Sequence, residues 1–350
     1  MKSLEELGWT DALEASFHEV GRRREEPVFT GRIAADFGMQ CDILDGKELF
    51  RAEISGRLRF DLDDPLDAPA VGDWVVLRKE EGALATIIEV LPRKSQLVRQ
   101  APGKRPMPQV VGANLDLVFV VTSLNLDFNL RRLERYITAI LDGGIRPVVV
   151  LNKADLVSEE RRKSFREEAI ELGPEVAIIE TIALERAGIE EIRALIDPGL
   201  TAAFVGSSGV GKSTLVNGLY GSEILATKEV RIQDDRGRHT TTHRQLIMLP
   251  SRGLVMDTPG MREFHVWGAE EGLEDAFEDI AALAENCRFR DCSHENEPGC
   301  AVLAALEEGT ITAQRLASYR KLRGEAKERE ERKAESQALI ERRRRKKRKK

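Results

Sequence analysis

Short alternating runs of apolar and polar residues fill the first hundred positions of the chain, and continuous apolar runs replace them further on. Ala52, Ile54, Leu58 and Phe60 fall on one side of a period of two and Arg51, Glu53, Arg57 and Arg59 on the other. That spacing predicts a strand with one apolar and one mainly basic face. Val71–Leu77 supplies another strand, and the turn-prone stretches Leu44–Lys47 and Asp63–Pro65 punctuate the region. Five or so strands within about 70 residues fit an OB-type barrel, whose exposed face and loops commonly hold oligonucleotides. A plain packing module is the alternative, and Trp74 reads as barrel core rather than a base-stacking platform.

Beyond the barrel the period changes. Arg146–Leu151, Thr201–Val205 and Leu254–Met256 are short apolar runs without alternation, as expected for strands buried on both faces of a parallel sheet. After Trp267, residues Leu273, Phe277, Ile280 and Ala284 recur at helical spacing. Pro102, Pro106 and Pro108 mark a hinge. The expected fold class is multidomain, α/β and all-β. Residues 1–27 form a charged helical leader, 28–100 the OB-type barrel, 101–111 a linker, 112–268 an α/β nucleotide domain, 269–325 a helical zinc-binding domain, and 326–350 a basic tail.

The chemistry follows the strands. Thr201–Val205 runs into Gly206, Ser207, Ser208, Gly209, Val210, Gly211, Lys212, Ser213 and Thr214, the phosphate-binding pattern G-x-x-x-x-G-K-[ST]. Backbone N–H groups converge there on phosphate oxygens, Lys212 adds a point charge, and the Ser213 hydroxyl suits Mg²⁺. A glycine turn capping an ordinary helix is the bland alternative. Arg146–Leu151 ends in Asn152, Lys153, Ala154 and Asp155, the N-K-x-D pattern. The Asp155 carboxylate matches the N1–H and 2-amino donors of guanine, whereas adenine would leave its charge unpaired. GTP is therefore expected over ATP.

Leu254–Met256 leads into Asp257-Thr258-Pro259-Gly260, a D-x-x-G switch in which Asp257 would hold the Mg²⁺ shell and the Gly260 N–H would sense the γ-phosphate. Between the two motifs lies Gly237–Thr242, where Thr241 is favoured as the switch threonine that closes over the metal. Met261 occupies the position that often carries a water-orienting glutamine, which leaves His239 as the internal candidate for that task; a histidine bonded to backbone or facing solvent is the other reading. The base-supporting loop is expected at Ile182-Ala183-Leu184, acting through backbone groups because Ile stands where a serine is usual. N-K-x-D precedes the phosphate loop, the reverse of the ordinary order, so the domain reads as circularly permuted. Whatever follows Gly260 is then tied to the segments that move with nucleotide state.

Three of the four cysteines lie in Cys287-x₄-Cys292-x-His294-x₅-Cys300. Three thiolates and an imidazole make a closed tetrahedral set for one structural Zn²⁺, with disulfides as the alternative in an oxidising compartment. No secretory pattern is visible at the N-terminus, so a cytoplasmic location is expected. Cys41 stands alone and reads as a buried thiol.

Charge refines the picture at the end of the chain. Arg342–Lys350 are nine consecutive basic residues, and without them the formal net charge of −6 becomes −15. That asymmetry suggests an RNA-binding arm on an acidic body, with a solubility tail as the alternative. No apolar run approaches the roughly 18 residues of a membrane span, so no membrane partner is expected.

The combination resembles the circularly permuted, ribosome small subunit-dependent GTPase A family, known as RsgA or YjeQ. The resemblance covers about residues 28–325 and rests on Asn152–Asp155, Gly206–Thr214, the Gly-Arg-His-Thr-Thr segment, Asp257–Gly260 and the four zinc ligands. It implies a cytoplasmic bacterial GTPase, expected as a monomer, that cycles between GTP and GDP and binds the small (30S) ribosomal subunit and its rRNA late in assembly. Slow intrinsic turnover, stimulated by the subunit, is implied as well. His239 takes the role of the presumed catalytic histidine and Met261 that of the hydrophobic replacement for glutamine. A nucleotide-gated tether in which hydrolysis is incidental is the second hypothesis.

Overall fold

The structure is a computed structural model and describes residues 3–62, 64–79, 84–101, 107–125, 127–170, 172–173, 176–222, 245–250, 253–257, 280, 283–284, 286–289, 292–311, 316–317 and 320. The chain divides into two compact units, Met1–Arg99 with Pro108–Val266, and Gln100–Met107 with Trp267–Lys350.

The first unit opens with a 3₁₀ turn, Glu5–Leu7, and helix α1, Asp11–Arg22. The Thr10 side chain caps α1 by accepting from the Leu13 N–H, and Asp11 and Glu14 sit in its first turn, where the helix dipole favours them. Leu7, Leu13 and Val20 are buried, and Trp9 meets Trp74 edge-on with ring centres 4.7 Å apart.

Five strands follow: β1 (Phe29–Asp36), β2 (Gln40–Leu44), β3 (Leu49–Ile54), β4 (Trp74–Arg78) and β5 (Ala85–Val90). β1, β2 and β3 form an antiparallel meander, β3 runs parallel to β5, β5 pairs with β4, and β4 returns to β1 and closes the barrel. Closure removes the exposed strand edges that an open five-stranded sheet would present. Ile33, Ile43, Trp74 and Ile87 are fully buried, so Trp74 is core.

The alternation expected to run through residue 60 breaks at residue 54. Ser55 accepts from the Leu58 N–H and starts helix α2, Gly56–Asp61, so Arg57, Leu58, Arg59 and Phe60 belong to no strand. A four-residue stretch fits both periods, and the capping serine decides between them. Phe60 is largely exposed as a result.

β6 (Gln96–Gln100) and β7 (Pro108–Ala113) form a separate two-stranded sheet, so the stretch read from sequence as a linker contains the start of β7. The nucleotide half then alternates strand and helix: β8 (Leu117–Ser123), α3 (Leu130–Asp142), β9 (Arg146–Asn152), α4 (Glu159–Ile170), β10 (Ala177–Thr181), α5 (Ile189–Ala194), β11 (Thr201–Val205), α6 (Lys212–Tyr220), β12 (Gln245–Met248) and β13 (Leu254–Asp257). Their order across the sheet is β10-β9-β8-β11-β13-β12, with β12 alone antiparallel. Leu133, Tyr136, Ile137 and Ile140 of α3 recur at 3.6-residue spacing and are buried. Phe119 of β8 and Phe204 of β11 stack in the core at 4.8 Å.

Barrel and nucleotide sheet are continuous, because Ala35 of β1 pairs with Gln245 of β12. Arg32 of β1 reinforces the junction and is almost wholly buried. It donates to the carbonyls of Leu7 (2.5 Å), Gly72 (3.0 Å) and Asn114 (3.0 Å) and to the Thr201 hydroxyl (2.8 Å). Burial pulls its guanidinium down to about 10, opposed by Asp116 and Asp73, and full hydrogen bonding is what makes such a charge tolerable inside.

In the second unit, α7 (Ala301–Glu307) packs Val302 and Ala305 with Ile280, Ile311 and Leu316 around the cysteine cluster.

Candidate functional site

In an open α/β sheet the ligand crevice lies beyond the carboxyl ends of the parallel strands. β11 ends at Val205, and the chain turns through Gly206, Ser207, Ser208 and Gly209 before α6 begins at Lys212. Val210 is buried in the core and anchors the loop from below. Gly211 cannot be replaced without movement: its φ is 106°, and a Cβ there would stand 2.2 Å from Asn152 Nδ2. Lys212 Nζ donates to the carbonyls of Gly206 and Ser207, both at 2.6 Å, which holds the ammonium over the mouth of the loop. Ser213 and Thr214 sit in the first turn of α6.

The guanine-reading motif lies against this loop. Asn152, buried at the end of β9, donates from Nδ2 to the Val210 carbonyl at 2.7 Å. Lys153 has a left-handed backbone, φ 59°, and its Nζ donates to the Gly209 carbonyl at 2.7 Å. Ala154 is buried and opens a 3₁₀ turn that carries Asp155 to the surface. The structure therefore brings the two motifs together although 50 residues of chain lie between Asp155 and Gly206.

Sequence reasoning missed one member of the site. Asn152 Oδ1 accepts from the Thr181 hydroxyl at 2.9 Å and from the Ala183 N–H at 3.2 Å. The loop expected to act through backbone groups does so through the Ala183 N–H, and a hydroxyl that was not expected joins it from Thr181, the last residue of β10, while Ile182 pairs with Ala187 in an isolated bridge. The β9–β10 register, Asn152 opposite Thr181, was the signal that could have located it.

Asp257 ends β13 and stands opposite Gln245, one strand from the phosphate-loop strand β11. His239, Thr241, Gly260 and Met261 lie outside the described residues, as does the tail from 326.

The donor set fits a guanine nucleotide: glycine-shaped phosphate loop, tethered Asn152 and Lys153, and an exposed carboxylate on Asp155. The pattern of strands gives the permutation a structural form, since β8 to β10 with the base-reading elements come before β11 and its loop.

A family model described as RsgA GTPase matches residues 90–267. The chain belongs to the RsgA GTPase family. With that family come GTP hydrolysis and the use of GTP with Mg²⁺. A similar protein, "Small ribosomal subunit biogenesis GTPase RsgA 2" of Lactiplantibacillus plantarum, is 42% identical over 323 residues, 92% of this chain and 89% of that one. "Small ribosomal subunit biogenesis GTPase RsgA" of Methanosarcina acetivorans is 40% identical over 319 residues, 91% of this chain and 84% of that one. Among solved structures, YjeQ from Thermotoga maritima aligns with a TM-score of 0.53 at 27% identity, covering 86% of this chain and 99% of that one.

The second unit of this RsgA-family chain holds the other candidate site. The ligand atoms of Cys287, Cys292, His294 and Cys300 all lie within 4.8 Å of one another. Cys287 Sγ is 3.8 Å from Cys300 Sγ and 3.6 Å from His294 Nδ1, and His294 Nδ1 is 3.3 Å from Cys300 Sγ. A tetrahedron of Zn–S bonds near 2.3 Å has edges of about 3.8 Å, so the set fits a zinc ion. Around it, the His294 carbonyl accepts from Arg320, and Glu297 ties down the loop by accepting from the Ser293, Glu295 and Asn296 N–H groups. Cys300 Sγ also caps α7 through the Leu303 N–H at 3.4 Å. Cys41 is far from this chemistry in character: burial pushes its thiol up to about 12, so it stays protonated.

Proposed function

We propose that this GTPase binds the small ribosomal subunit during its late assembly and that the subunit stimulates its hydrolysis of GTP. The observation that carries the reading is the Asn152–Val210 tether, which fuses base recognition to the phosphate loop in a chain whose relatives are named for small-subunit biogenesis.

In this reading Asp155 accepts both guanine donors, Lys153 covers the base, and the loop N–H groups of 206–214 with Lys212 hold the phosphates. Ser213, Asp257 and Thr241 would hold Mg²⁺, the Gly260 N–H would sense the γ-phosphate, and His239 would orient the attacking water. Mg²⁺ held there would supply neutralisation of the charge on the phosphates. Met261 offers no group for that water, so unaided turnover is slow and the subunit completes the site. Zinc in the Cys287, Cys292, His294 and Cys300 set holds the second unit's fold.

The barrel presents features suited to rRNA. Phe37 and Met39, in the β1–β2 connection, are exposed, and the Arg51 guanidinium lies 4.3 Å from the centre of the Phe37 ring. OB barrels hold single strands through such loops by stacking and backbone charge. The basic tail 342–350 adds phosphate contacts. The protein works as a cytoplasmic monomer; no helix among the described residues is long and apolar enough to cross a membrane. Met261 also favours a second reading, a nucleotide-gated tether in which hydrolysis is incidental.

Co-sedimentation with purified small subunits tests the binding claim. Retention with a non-hydrolysable GTP analogue should exceed that with GDP by about tenfold, and removing 342–350 should flatten its salt dependence. Equal retention with both nucleotides, or on large subunits, contradicts it.

A further inference from the structure

The junction between barrel and nucleotide sheet contains a contact that the GTPase reading does not use. Met256, one residue before Asp257, is buried. A Cβ placed on Gly112 would lie 2.5 Å from Met256 Sδ, and one placed on Gly72 would lie 3.1 Å from Met256 Cε. The thioether therefore lies against two glycines: Gly112 of β7, where it is the nearest obstacle to a Cβ, and Gly72 in the turn ahead of β4, where the Ala113 carbonyl at 2.1 Å is nearer still.

The notch between them is held rigidly. The Gly72 carbonyl accepts from Arg32 Nε at 3.0 Å and from Asn114 Nδ2 at 3.1 Å, and its N–H donates to the Ile33 carbonyl at 2.9 Å. Next to it, the buried Asp73 pairs with Arg93 at 2.7 Å and accepts from the Ala70 N–H at 2.8 Å. The Arg32 network thus has a purpose beyond filling space, since it fixes the wall against which Met256 rests.

Strand alternation carries this to the nucleotide. Successive side chains of a strand point to opposite faces. Val255 packs with Val210, Leu215 and Val216, the elements beneath the phosphate loop, so Asp257 lies on that same face and Met256 on the other. A second link runs across the sheet: Ala35 of the barrel pairs with Gln245, and Gln245 pairs with Asp257.

We infer that Met256 is a positioning residue: seated between Gly72 of the barrel and Gly112 of β7, it sets where Asp257 stands at the Mg²⁺ position and so makes the barrel a determinant of nucleotide handling. The inference rests on the proposed role of Asp257. A load on the barrel, such as bound RNA, acts on β13 through this contact as well as through anything attached after Gly260.

The test uses the full chain and a readout other than turnover, the rate at which a fluorescent GDP analogue dissociates with and without Mg²⁺. Mg²⁺ slows dissociation from the wild type. Met256→Ala should lose about fivefold of that slowing while its Mg²⁺-free rate stays within about twofold of wild type, and Met256→Leu, which refills the notch, should restore the slowing. Gly112→Ala, which crowds the notch without shortening Met256, should act in the same direction as Met256→Ala and serves if the latter does not fold. Asp257→Asn separates the two layers. If Asp257→Asn loses the slowing and both notch variants keep it, Met256 is structural and the inference is overturned. If Asp257→Asn itself keeps it, the role of Asp257 is wrong and the inference falls with it.

Discussion

Arg32 Nη1 donates to the hydroxyl of Thr201 across 2.8 Å, joining the first barrel strand to the first residue of the strand that runs into the phosphate loop. Thr201 in turn donates its N–H to Asp116 Oδ2 at 2.9 Å, and Asp116 Oδ1 accepts from Lys94 at 2.6 Å. Leader, barrel and nucleotide sheet meet in one polar network, buried at Arg32 and Thr201 and reaching the surface at Lys94. Arg32→Ala would strand the carbonyls of Leu7 and Asn114 without that donor, at a cost of about 3 kcal/mol. Urea unfolding should show that loss, with Arg32→Lys recovering only part of it because an ammonium cannot reproduce the planar fork.

Thr181 gives the second test. Thr181→Val keeps the shape and removes one of two donors to Asn152 Oδ1, so GDP affinity should fall about fivefold, near 1 kcal/mol. Thr181→Ser should recover most of it in the same titration.

These two residues also show where the sequence was legible. Gly206–Thr214, Asn152–Asp155 and the Cys287–Cys300 set are contiguous motifs whose chemistry is written in residue type and spacing. The barrel was readable only in part from alternation, which the burial of β2 and β5 shows, whereas β1 and β4 are buried over runs of consecutive residues. Arg32 was not readable: a lone arginine on a strand looks solvent-facing until the leader and the nucleotide sheet close over it. Thr181 needed the β9–β10 register, a non-local fact. Residues 57–60 were misread because alternation over so few positions also fits a helix, and the Ser55 cap that decides it is a single residue.

Asp155 should dominate base choice. Asp155→Asn replaces a charged double acceptor by an amide and should weaken GTP binding by about a hundredfold, near 3 kcal/mol. Xanthine carries a carbonyl where guanine has its amino group, so the amide donor matches it. Competition binding should therefore show XTP gaining on GTP in the variant.

The zinc site makes a compositional prediction. Elemental analysis should find one zinc per chain, lost in Cys300→Ser and on chelation, together with helical signal from the α7 region, since Cys300 both ligates and caps. GDP affinity should stay within about twofold, because none of the nucleotide-site residues belongs to the second unit.

His239 and the subunit carry the central claim, and GTP turnover with and without purified small ribosomal subunits tests it most directly. At fixed salt, with ATP as control, the subunit should raise GTP turnover by about a thousandfold and leave ATP untouched, and His239→Ala should abolish most of the rise while GTP affinity holds. GTP binding with no stimulation by the subunit would contradict the account and leave a nucleotide-gated tether in its place.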